Sequence, residues 1–349
     1  MENLYKSASL WALLLIALTV PYSCRQPGQA KSSPEVPAGT VVSSFDGAAG
    51  MLIDQLQEQG DYVNSRQFPS MIKARTVYEE LGGNIHLIDM RREAYYQQGH
   101  IAGAVNVRRS EILDHFENEI LPFQYDKIVL ICYGGHIASY TTQILRLLGY
   151  GNVYAMRYGM SGWNSDFAED FWTAGISSDF QDQLVSEASP KPPSMYQPVL
   201  HATGTTGEEI LYERARAVLA EDNGPIFIDQ ESVFENPDDY FIINFERKDK
   251  YESGHIPGAI RYKPQGTLGI PSEMSTIPTD RTVVVYCGTG HNSQFAVAYL
   301  SLFGYDARSL NYGNNGFMHQ KMVEEREQLS WHPFTDEDIH DFPYVTGNQ

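Results

Sequence analysis

Two stretches of the chain, IVLICYGGHIA at residues 128–138 and VVVYCGTGHNS at residues 283–293, share one pattern. Each is an apolar run that ends in a single cysteine and continues into a glycine-containing loop, with a histidine four residues after the cysteine. Continuous apolar runs are typical of strands buried on both faces of a parallel sheet, where ligands bind beyond the carboxyl ends of the strands. The pattern therefore predicts two equivalent sites, at Cys132 and at Cys287.

The two stretches belong to a duplication with an offset of 155 residues. The offset is one residue shorter for the last pair of matching segments. Repeats of a solenoid have periods of about 20 to 50 residues, so this offset indicates a duplicated domain. The matching segments are GHIAGAV (99–105) with GHIPGAI (254–260), Cys132 with Cys287, Gly149-Tyr150 with Gly304-Tyr305, and GMSGW (159–163) with GNNGF (313–317).

Within each copy, short apolar or β-branched runs alternate with helical patterns. In the first copy, HLIDM, AVNV, IVLIC and NVYAM are typical of strands, whereas REAYYQQG and SYTTQILRLLGY are typical of helices. Strands that alternate with helices predict a mainly parallel sheet with helices on both faces. The sequence thus indicates an α/β protein with two tandem domains.

Changes in composition predict the domain boundaries. The stretch SEASPKPPSMYQP at 186–198 is rich in Ser and Pro, as linkers are. We expect a signal peptide over 1–24, a tether over 25–45, a first domain over 46–180, a Pro/Ser-rich linker over 181–205, a second domain over 206–335 and a C-terminal tail over 336–349.

The first residues have the composition of an export signal. The apolar run LWALLLIALTV, from Leu10 to Val20, is shorter than a membrane span requires. The following PYSC resembles the end of a bacterial lipoprotein cleavage box, which makes Cys24 a candidate for lipidation and for anchoring the chain to a membrane. Cleavage after Ala30 and a buried N-terminal helix are the alternatives. We therefore expect an exported protein, either periplasmic or anchored to a membrane of the bacterial cell envelope.

The charge and the cysteine content exclude several classes of function. The chain of 349 residues has 25 Lys and Arg against 44 Asp and Glu, a formal net charge of −19, which argues against nucleic acid as a partner. An anionic substrate must therefore be attracted by a local positive field. The three cysteines form no Cys-x-x-Cys pair, which argues against a zinc ribbon, a thioredoxin-like site and a disulfide framework. We predict no metal and no cofactor.

The loops after Cys132 and Cys287 have the composition of an anion-binding nest. Small residues after a strand let successive backbone N–H groups point at one spot, which attracts negative charge. A thiol held there is expected to have a lowered pKa, and its thiolate is a nucleophile. The alternative is that each cysteine is a small buried hydrophobic residue. The predicted loop residues are Tyr133, Gly134, Gly135, His136 and Ile137 in the first copy, and Gly288, Thr289, Gly290, His291, Asn292 and Ser293 in the second.

These motifs together resemble the rhodanese family. The resemblance rests on IDMRREAYYQQGHIAGAVNV (88–107), ICYGGHIAS and GMSGW in the first copy, and on YESGHIPGAI, YCGTGHNS and YGNNGF in the second. It implies two tandem rhodanese-like domains with sulfurtransferase activity. In that family a loop cysteine takes sulfane sulfur from a donor such as thiosulfate, holds it as a persulfide and passes it to cyanide or a thiol. The resemblance also implies that Asp89 and Arg91 form a structural brace beneath the first loop.

The loops depart from those of many rhodaneses because neither contains Arg or Lys. His136 and His291 are expected either to supply a partial positive charge below neutral pH or to face solvent as ordinary loop residues. The positions six residues after the cysteines are Ala138 and Ser293, where phosphatase relatives of the fold have an arginine, which argues against phosphatase activity.

The two copies also differ from each other. Asn244 and Glu246 replace the acidic and basic brace in the second copy. The second loop, however, has three side chains that can hydrogen-bond around the sulfur, which slightly favours Cys287 over Cys132 as the catalyst.

The leading hypothesis is an exported sulfurtransferase that acts through a cysteine persulfide at Cys287 or Cys132. Its partners would be a small sulfur-containing anion and a thiol acceptor. The alternatives are a non-catalytic rhodanese-like module that binds an anion or a partner, and a sulfur carrier of the cell envelope. The sequence does not indicate the oligomeric state.

Overall fold

The apolar runs that end in cysteine form the central strands of two parallel sheets. The computed structural model describes residues 42–347, in which each sheet has five strands with the run before the cysteine in the middle. Every strand pairing within these sheets is parallel. The predicted α/β fold with two tandem domains is confirmed. The predicted leader, including Cys24, lies outside the described residues.

The two sheets have the same order of strands. The first contains β1 (Met71–Ile72), β2 (Ile85–Asp89), β3 (Val105–Asn106), β4 (Lys127–Ile131) and β5 (Val153–Met156). The second contains β6 (Phe227–Ile228), β7 (Phe241–Asn244), β8 (Ile260–Arg261), β9 (Val283–Tyr286) and β10 (Ala307–Leu310). The order across the sheets is β1-β5-β4-β2-β3 and β6-β10-β9-β7-β8.

Helices cover both faces of each sheet, and short 3₁₀ or π turns occupy several connections. Those of the first domain are α1 (Gly47–Glu58), α2 (Ala74–Glu79), α3 (Glu93–Gln98), α4 (Ile112–Asp114), α5 (His136–Leu147) and α6 (Gly159–Trp163). Those of the second are α7 (Gly207–Ala220), α8 (Gln230–Glu235), α9 (Lys248–Ser253), α10 (Pro271–Met274), α11 (His291–Leu302), α12 (His319–Glu324) and α13 (Arg326–Leu329). No helix within residues 42–347 combines the length and the hydrophobicity that crossing a membrane requires.

Alternate residues of each central strand face two different cores, as the period of a strand dictates. Ile128 and Leu130 belong to one core that is shared by both domains, whereas Val129 belongs to a core of the first domain. In the second domain, Val283 and Val285 of β9 contribute to the same shared core. Helices α1 and α7 pack against each other there, as do α5 and α11. The two domains are thus joined by apolar burial.

Each domain also receives an arm from the segment that follows the other domain. Val345 forms an antiparallel bridge with His100 of the first domain, and Val185 forms the equivalent bridge with His255 of the second. Aromatic stacking accompanies both bridges: the ring centroids of Phe342 and Tyr78 lie 4.1 Å apart, and those of Phe180 and Phe234 lie 4.5 Å apart. The arms therefore add packing on the outer face of each sheet.

We expect the two domains to unfold in one cooperative transition, because they share a core. Phe295 is fully buried and its ring meets that of Phe68 edge to face at 5.6 Å across the domain boundary. Phe295→Ala should lower the free energy of unfolding by about 3–5 kcal/mol, measured by urea denaturation. Phe123→Ala, at a side chain that is 74% exposed, is the matched control and should change it by less than about 0.5 kcal/mol. Two separate transitions in the wild-type chain would contradict this expectation.

Candidate active site

Each cysteine lies at the carboxyl end of a central strand. Cys132 follows β4 and Cys287 follows β9. Both side chains are buried, with 3% and 2% of their surfaces exposed, and neither forms a disulfide. The two cysteines therefore occupy equivalent positions, at the edge of the sheet where parallel α/β proteins bind ligands.

The helix after each loop begins earlier than the sequence pattern predicts. In the first domain the pattern predicts a start at Ser139, whereas α5 begins at His136. Gly135, with a φ of 87°, ends the loop in the left-handed conformation that glycine adopts readily, and the helix begins at the next residue. The predicted loop residues that instead lie in the first helical turn are His136 and Ile137 in α5, and His291, Asn292 and Ser293 in α11.

The glycine-rich segments GMSGW and GNNGF hold the carbonyl groups of the cysteines. The Met160 N–H donates to the Cys132 carbonyl oxygen at 2.9 Å, and the Asn314 N–H donates to the Cys287 carbonyl oxygen at 2.8 Å. A Cβ atom at Gly159 would lie 2.2 Å from the Cys132 carbonyl oxygen, so this close approach requires glycine. Because the carbonyl groups are bound on this side, the N–H groups of the loop are left to face the sulfur.

Backbone N–H groups surround both sulfur atoms. The Ala138 N–H donates to Cys132 Sγ at 3.4 Å, and the Ser293 N–H donates to Cys287 Sγ at 3.3 Å. Burial nevertheless raises the pKa of both thiols, and the Glu246 carboxylate raises the pKa of the Cys287 thiol further. The predicted lowering of the thiol pKa values is therefore wrong, because removal from water disfavours the thiolate more than the amides favour it.

The two loops contact each other through their histidines. His136 Nε2 donates to the Thr289 carbonyl oxygen at 2.9 Å, and because a carbonyl only accepts hydrogen bonds, this ring carries hydrogen on Nε2. His291 Nε2 lies 3.0 Å from the Gly134 carbonyl oxygen and 3.2 Å from the Tyr158 nitrogen, whose N–H points at it. Gly134 and Thr289 are related by the duplication, so each histidine contacts the same point of the opposite loop. A Cβ atom at Gly135 would lie 2.5 Å from His291 Nε2, so this contact too requires glycine.

Both predictions for the histidines are wrong, since the rings are neither exposed nor cationic. His136 is 3% exposed and His291 is fully buried. The Trp172 ring stacks on His291 with centroids 5.9 Å apart and lies 5.4 Å from His136. Burial lowers the pKa of His136 to about 4 and that of His291 well below its usual range. The two rings are therefore neutral at neutral pH and serve to join the loops.

A cavity of about 480 Å³ opens on Cys132 and is rich in cations. The cations come from outside the loop and belong to the segments after β2 and β3. Arg92 and Arg108 are exposed, and neither forms an ion pair within the described residues. Residues 220–224 of the second domain complete the wall. The lining cations are Arg91, Arg92, Arg108 and Arg109, and the lining carboxylates are Glu221 and Asp222.

Arg109 lines this cavity and is 96% buried, since only 4% of its surface is exposed. Its Nη2 donates to the Glu221 carbonyl oxygen, and its guanidinium lies 5.1 Å from the Tyr140 ring centroid. Its Nη1 has no acceptor in the part of the chain that the structure describes. A buried cation with an unpaired N–H lacks the partner that usually offsets its desolvation. The cavity therefore favours an anion.

Asp89 and Arg91 form a buried ion pair at the base of the Cys132 site. Arg91 Nη2 lies 2.7 Å from Asp89 Oδ2 and donates to the Gly99 carbonyl oxygen at 2.5 Å. The Arg91 N–H also donates to Asp89 Oδ1 at 3.0 Å. The pair joins β2 to the turn that precedes β3 and carries little free hydrogen-bonding capacity.

The Cys287 site is smaller and contains a carboxylate. Its cavity has a volume of about 150 Å³. Glu246 lies within it and accepts a hydrogen bond from the Gly288 N–H at 2.6 Å. Glu246 also lies 3.6 Å from Lys250 Nζ, as an ion pair of which both side chains are nearly buried. The residues that line the cavity are Met71, Arg157, Glu246, Lys250, Cys287, Gly288, Thr289, Asn292 and His332.

Of the three side chains predicted to hydrogen-bond around Cys287, Ser293 does so. Its hydroxyl accepts a hydrogen bond from the Cys287 thiol at 3.6 Å and donates to the Gly290 carbonyl oxygen at 2.9 Å. The Thr289 hydroxyl instead bonds to His291 Nδ1 at 2.8 Å, and Asn292 lies on the cavity wall. The second loop therefore keeps one of the three expected side-chain hydrogen bonds to the sulfur. Within residues 42–347 no group of three or more His, Cys, Asp or Glu side chains is placed to hold a metal ion.

Comparison with known protein families identifies both copies. The rhodanese-like domain matches residues 73–166 and residues 229–320, which together make up more than half of the chain. The chain belongs to the rhodanese family. Each matched range contains one of the two cysteines with its loop, so both sites belong to rhodanese domains.

Three curated relatives match between 20% and 35% of this chain. A sulfurtransferase of Allochromatium vinosum is 38% identical over 87 residues, 24% of this chain and 78% of that protein. The thiosulfate sulfurtransferase PspE of Escherichia coli is 31% identical over 68 residues, 20% of this chain and 64% of that protein. A tRNA uridine(34) hydroxylase of Buchnera aphidicola is 27% identical over 124 residues, 35% of this chain and 37% of that protein. The chain thus spans just over a third of the hydroxylase and just under two thirds of PspE.

The sequence interpretation missed the cations of the first rhodanese domain. Arg92 follows β2 and Arg108 follows β3, so both lie beyond the carboxyl ends of strands on the same side of the sheet as Cys132. Ligands of parallel sheets bind at these ends, which is the signal that could have found the two arginines. Glu221 and Asp222 of the second domain also line the Cys132 cavity, and only the tertiary structure shows that they lie there.

We expect the two interlocked histidines to make the stability of the protein depend on pH. The pKa of His136 is about 4 in the folded chain and near 6.5 when unfolded, so between these values the unfolded state binds more protons. The free energy of unfolding should therefore fall as the pH falls, by about 1.4 kcal/mol per pH unit for each such histidine. His136→Gln should reduce that slope by about one histidine's share, measured by urea denaturation between about pH 4.5 and about pH 6.5. Identical slopes in the two proteins would contradict the assignment.

Proposed function

We propose that the protein is a sulfurtransferase in which Cys132 takes sulfane sulfur from a small anionic donor. The observation that carries the proposal is the cavity over the Cys132 loop, where Arg109 is buried with an unpaired Nη1. In a chain of net charge −19, this local cluster supplies the positive field that an anion requires. Membership in the rhodanese family and a curated relative named as a thiosulfate sulfurtransferase support thiosulfate as the donor.

The reaction proceeds in two displacements on sulfur. The Cys132 thiol first loses its proton to solvent, and the thiolate attacks the outer sulfur of thiosulfate. The S–S bond of the donor breaks, and sulfite leaves with the electron pair while Cys132 becomes a persulfide. Cyanide or an acceptor thiolate then attacks the outer sulfur of the persulfide, and the S–S bond breaks with the Cys132 thiolate as the leaving group. The outer sulfur stays with the acceptor, as thiocyanate or as a new persulfide.

The protein supports these steps mainly with fixed dipoles and charges. The loop amides, including that of Ala138 at 3.4 Å from Sγ, stabilise negative charge on the attacking and departing sulfur. Arg92, Arg108 and Arg109 line the space where the sulfonate end of the donor would bind. A bound anion would also offset the buried positive charge of the Arg109 guanidinium, which has no ion pair among the described residues. The raised pKa of the Cys132 thiol keeps most of the resting protein in the unreactive thiol form.

A second candidate is a non-catalytic rhodanese-like module that holds an anion or the tail of a partner protein. The observation that favours it is the raised pKa of both buried thiols. In this alternative the arginines bind an anion and no sulfur is transferred. The two candidates differ in whether Cys132 gains a sulfur atom during incubation with thiosulfate.

Incubation with thiosulfate should add the mass of one sulfur atom to Cys132, measured by peptide mass spectrometry. Because the pKa of the Cys132 thiol is raised, the rate of sulfur uptake should increase about tenfold per pH unit from about pH 6 to about pH 8. Cys132→Ser should abolish uptake at this position and most thiocyanate formation from cyanide. Sulfate, which has no sulfane sulfur, is the control compound. Binding of thiosulfate without uptake of sulfur would favour the second candidate.

Arg108→Gln should lower kcat/KM for thiosulfate about tenfold, chiefly through KM, because the exposed guanidinium contributes charge to the donor pocket. The variant is expected to fold normally, since the Arg108 side chain is exposed. Arg66→Gln removes the same charge from an exposed position outside the cavity and is the matched control. Equal kinetic parameters for the two variants would show that Arg108 does not contact the donor.

A further inference from the structure

The position that holds Arg91 in the first domain holds Glu246 in the second. The duplication relates the two residues by its offset of 155. Arg91 is held by the ion pair with Asp89 and by the Gly99 carbonyl oxygen, and its guanidinium lies 5.8 Å from the Tyr133 ring centroid. Glu246 instead accepts the N–H of Gly288, the first residue after Cys287, at 2.6 Å. One position of the fold thus has opposite charge and different partners in the two domains.

This carboxylate occupies the first amide of the Cys287 loop. Gly288 directly follows Cys287, and its N–H is the counterpart of the Tyr133 N–H in the first domain. The Tyr133 N–H has no acceptor within the described residues, so it is available to a ligand. The Gly288 N–H already has an anionic acceptor. An incoming anion would have to displace Glu246 from this amide or approach its charge closely.

The surroundings of Glu246 hold it in that place. Its side chain is 12% exposed and lies 3.6 Å from Lys250 Nζ, which in turn lies 4.4 Å from the Trp331 ring centroid. Lys250 is thereby paired with Glu246, and the other cation on the cavity wall is Arg157, whose Nη2 donates to the Tyr158 hydroxyl at 2.7 Å. The cavity of about 150 Å³ also leaves less room than the cavity of about 480 Å³ over Cys132. The two sites therefore differ in the volume of the cavity and in the carboxylate that binds the loop at Cys287.

We propose that Glu246 determines the substrate specificity of the Cys287 site by acting as an internal anion. It excludes small oxyanion donors such as thiosulfate and leaves Cys287 accessible to uncharged reactants. Cys132 and Cys287 therefore serve different substrate classes, and for the transfer of sulfur this division rests on the proposed sulfurtransferase activity. The repulsion itself does not depend on that activity, because it acts on any anion that approaches Cys287.

Two alkylating reagents that differ in charge test the repulsion on the full chain. Iodoacetate is anionic and iodoacetamide is neutral, and both react with the same thiolate. The ratio of their rates at one cysteine therefore cancels differences in thiol pKa and in general accessibility. In the wild-type protein we expect a lower ratio of iodoacetate to iodoacetamide rates at Cys287 than at Cys132, measured by peptide mass spectrometry.

Glu246→Gln should raise that ratio at Cys287 about tenfold and leave it unchanged at Cys132. Glu252→Gln is the matched control, since Glu252 is exposed and lies on helix α9, which begins two residues after Glu246. It removes the same charge and should leave both ratios unchanged. Circular dichroism and urea denaturation verify that the variants are folded. An unchanged ratio at Cys287 in Glu246→Gln, or the same increase in Glu252→Gln, would overturn the proposal.

Sulfur loading tests the consequence for substrates. In a Cys132→Ser chain, thiosulfate should add no sulfur to Cys287, whereas Cys132→Ser with Glu246→Gln should acquire one sulfur atom there. Loading of Cys287 in the single variant as fast as that of Cys132 in the wild type would overturn the division of substrates. Failure of every protein to take up sulfur would contradict the proposed function, and the alkylation ratios would still decide the role of Glu246.

Discussion

Two histidine contacts between the domains fix the geometry on which both sites depend. His136 Nε2 donates to the Thr289 carbonyl oxygen, and His291 Nε2 lies against the Gly134 carbonyl oxygen and the Tyr158 N–H, so each cysteine loop is attached to the helix that follows the other loop. One carbonyl group of each loop is thus bound at the domain interface, and the cysteine carbonyl group is bound within its own domain. Each loop is therefore held from both sides. The buried, neutral state of both rings is required for this pairing, because a charged imidazole at this depth would be poorly solvated.

The two copies of the domain share the backbone arrangement around the cysteine and differ in the charged side chains near it. Both domains keep the cysteine, the left-handed glycine before the helix and the glycine turn that binds the cysteine carbonyl group. They differ in what surrounds the sulfur. The first site has an arginine-rich cavity that is completed by the second domain, and the second has a carboxylate on the first amide of its loop. At one position of the fold, Arg91 in the first domain and Glu246 in the second have opposite charge, and only Glu246 binds an amide of its loop.

The sequence was sufficient to predict the two parallel sheets and the place of each cysteine, because these depend on local patterns. Apolar runs before Cys132 and Cys287 predict central parallel strands, and the offset of 155 predicts two copies. The charges at the sites depend on tertiary contacts and were mostly missed. Arg109 is remote from Cys132 in the sequence, and its unpaired Nη1 is visible only once the Glu221 carbonyl group is in place. The thiol pKa values were predicted with the wrong sign, since the sequence shows the amides but not the extent of burial.

The exchange of arms has a consequence for how the chain is made. The turn at His100 in the first domain is completed by Val345, which the ribosome adds only after the whole second domain has been synthesised. The face that Phe342 covers, at Tyr78, is therefore unprotected throughout that interval. The second domain has no such delay, because its own arm, at Val185, precedes it in the chain. During translation the aromatic surface at Tyr78 thus stays uncovered until the last residues of the arm are made, and exposed apolar surface of this kind favours aggregation of a nascent chain.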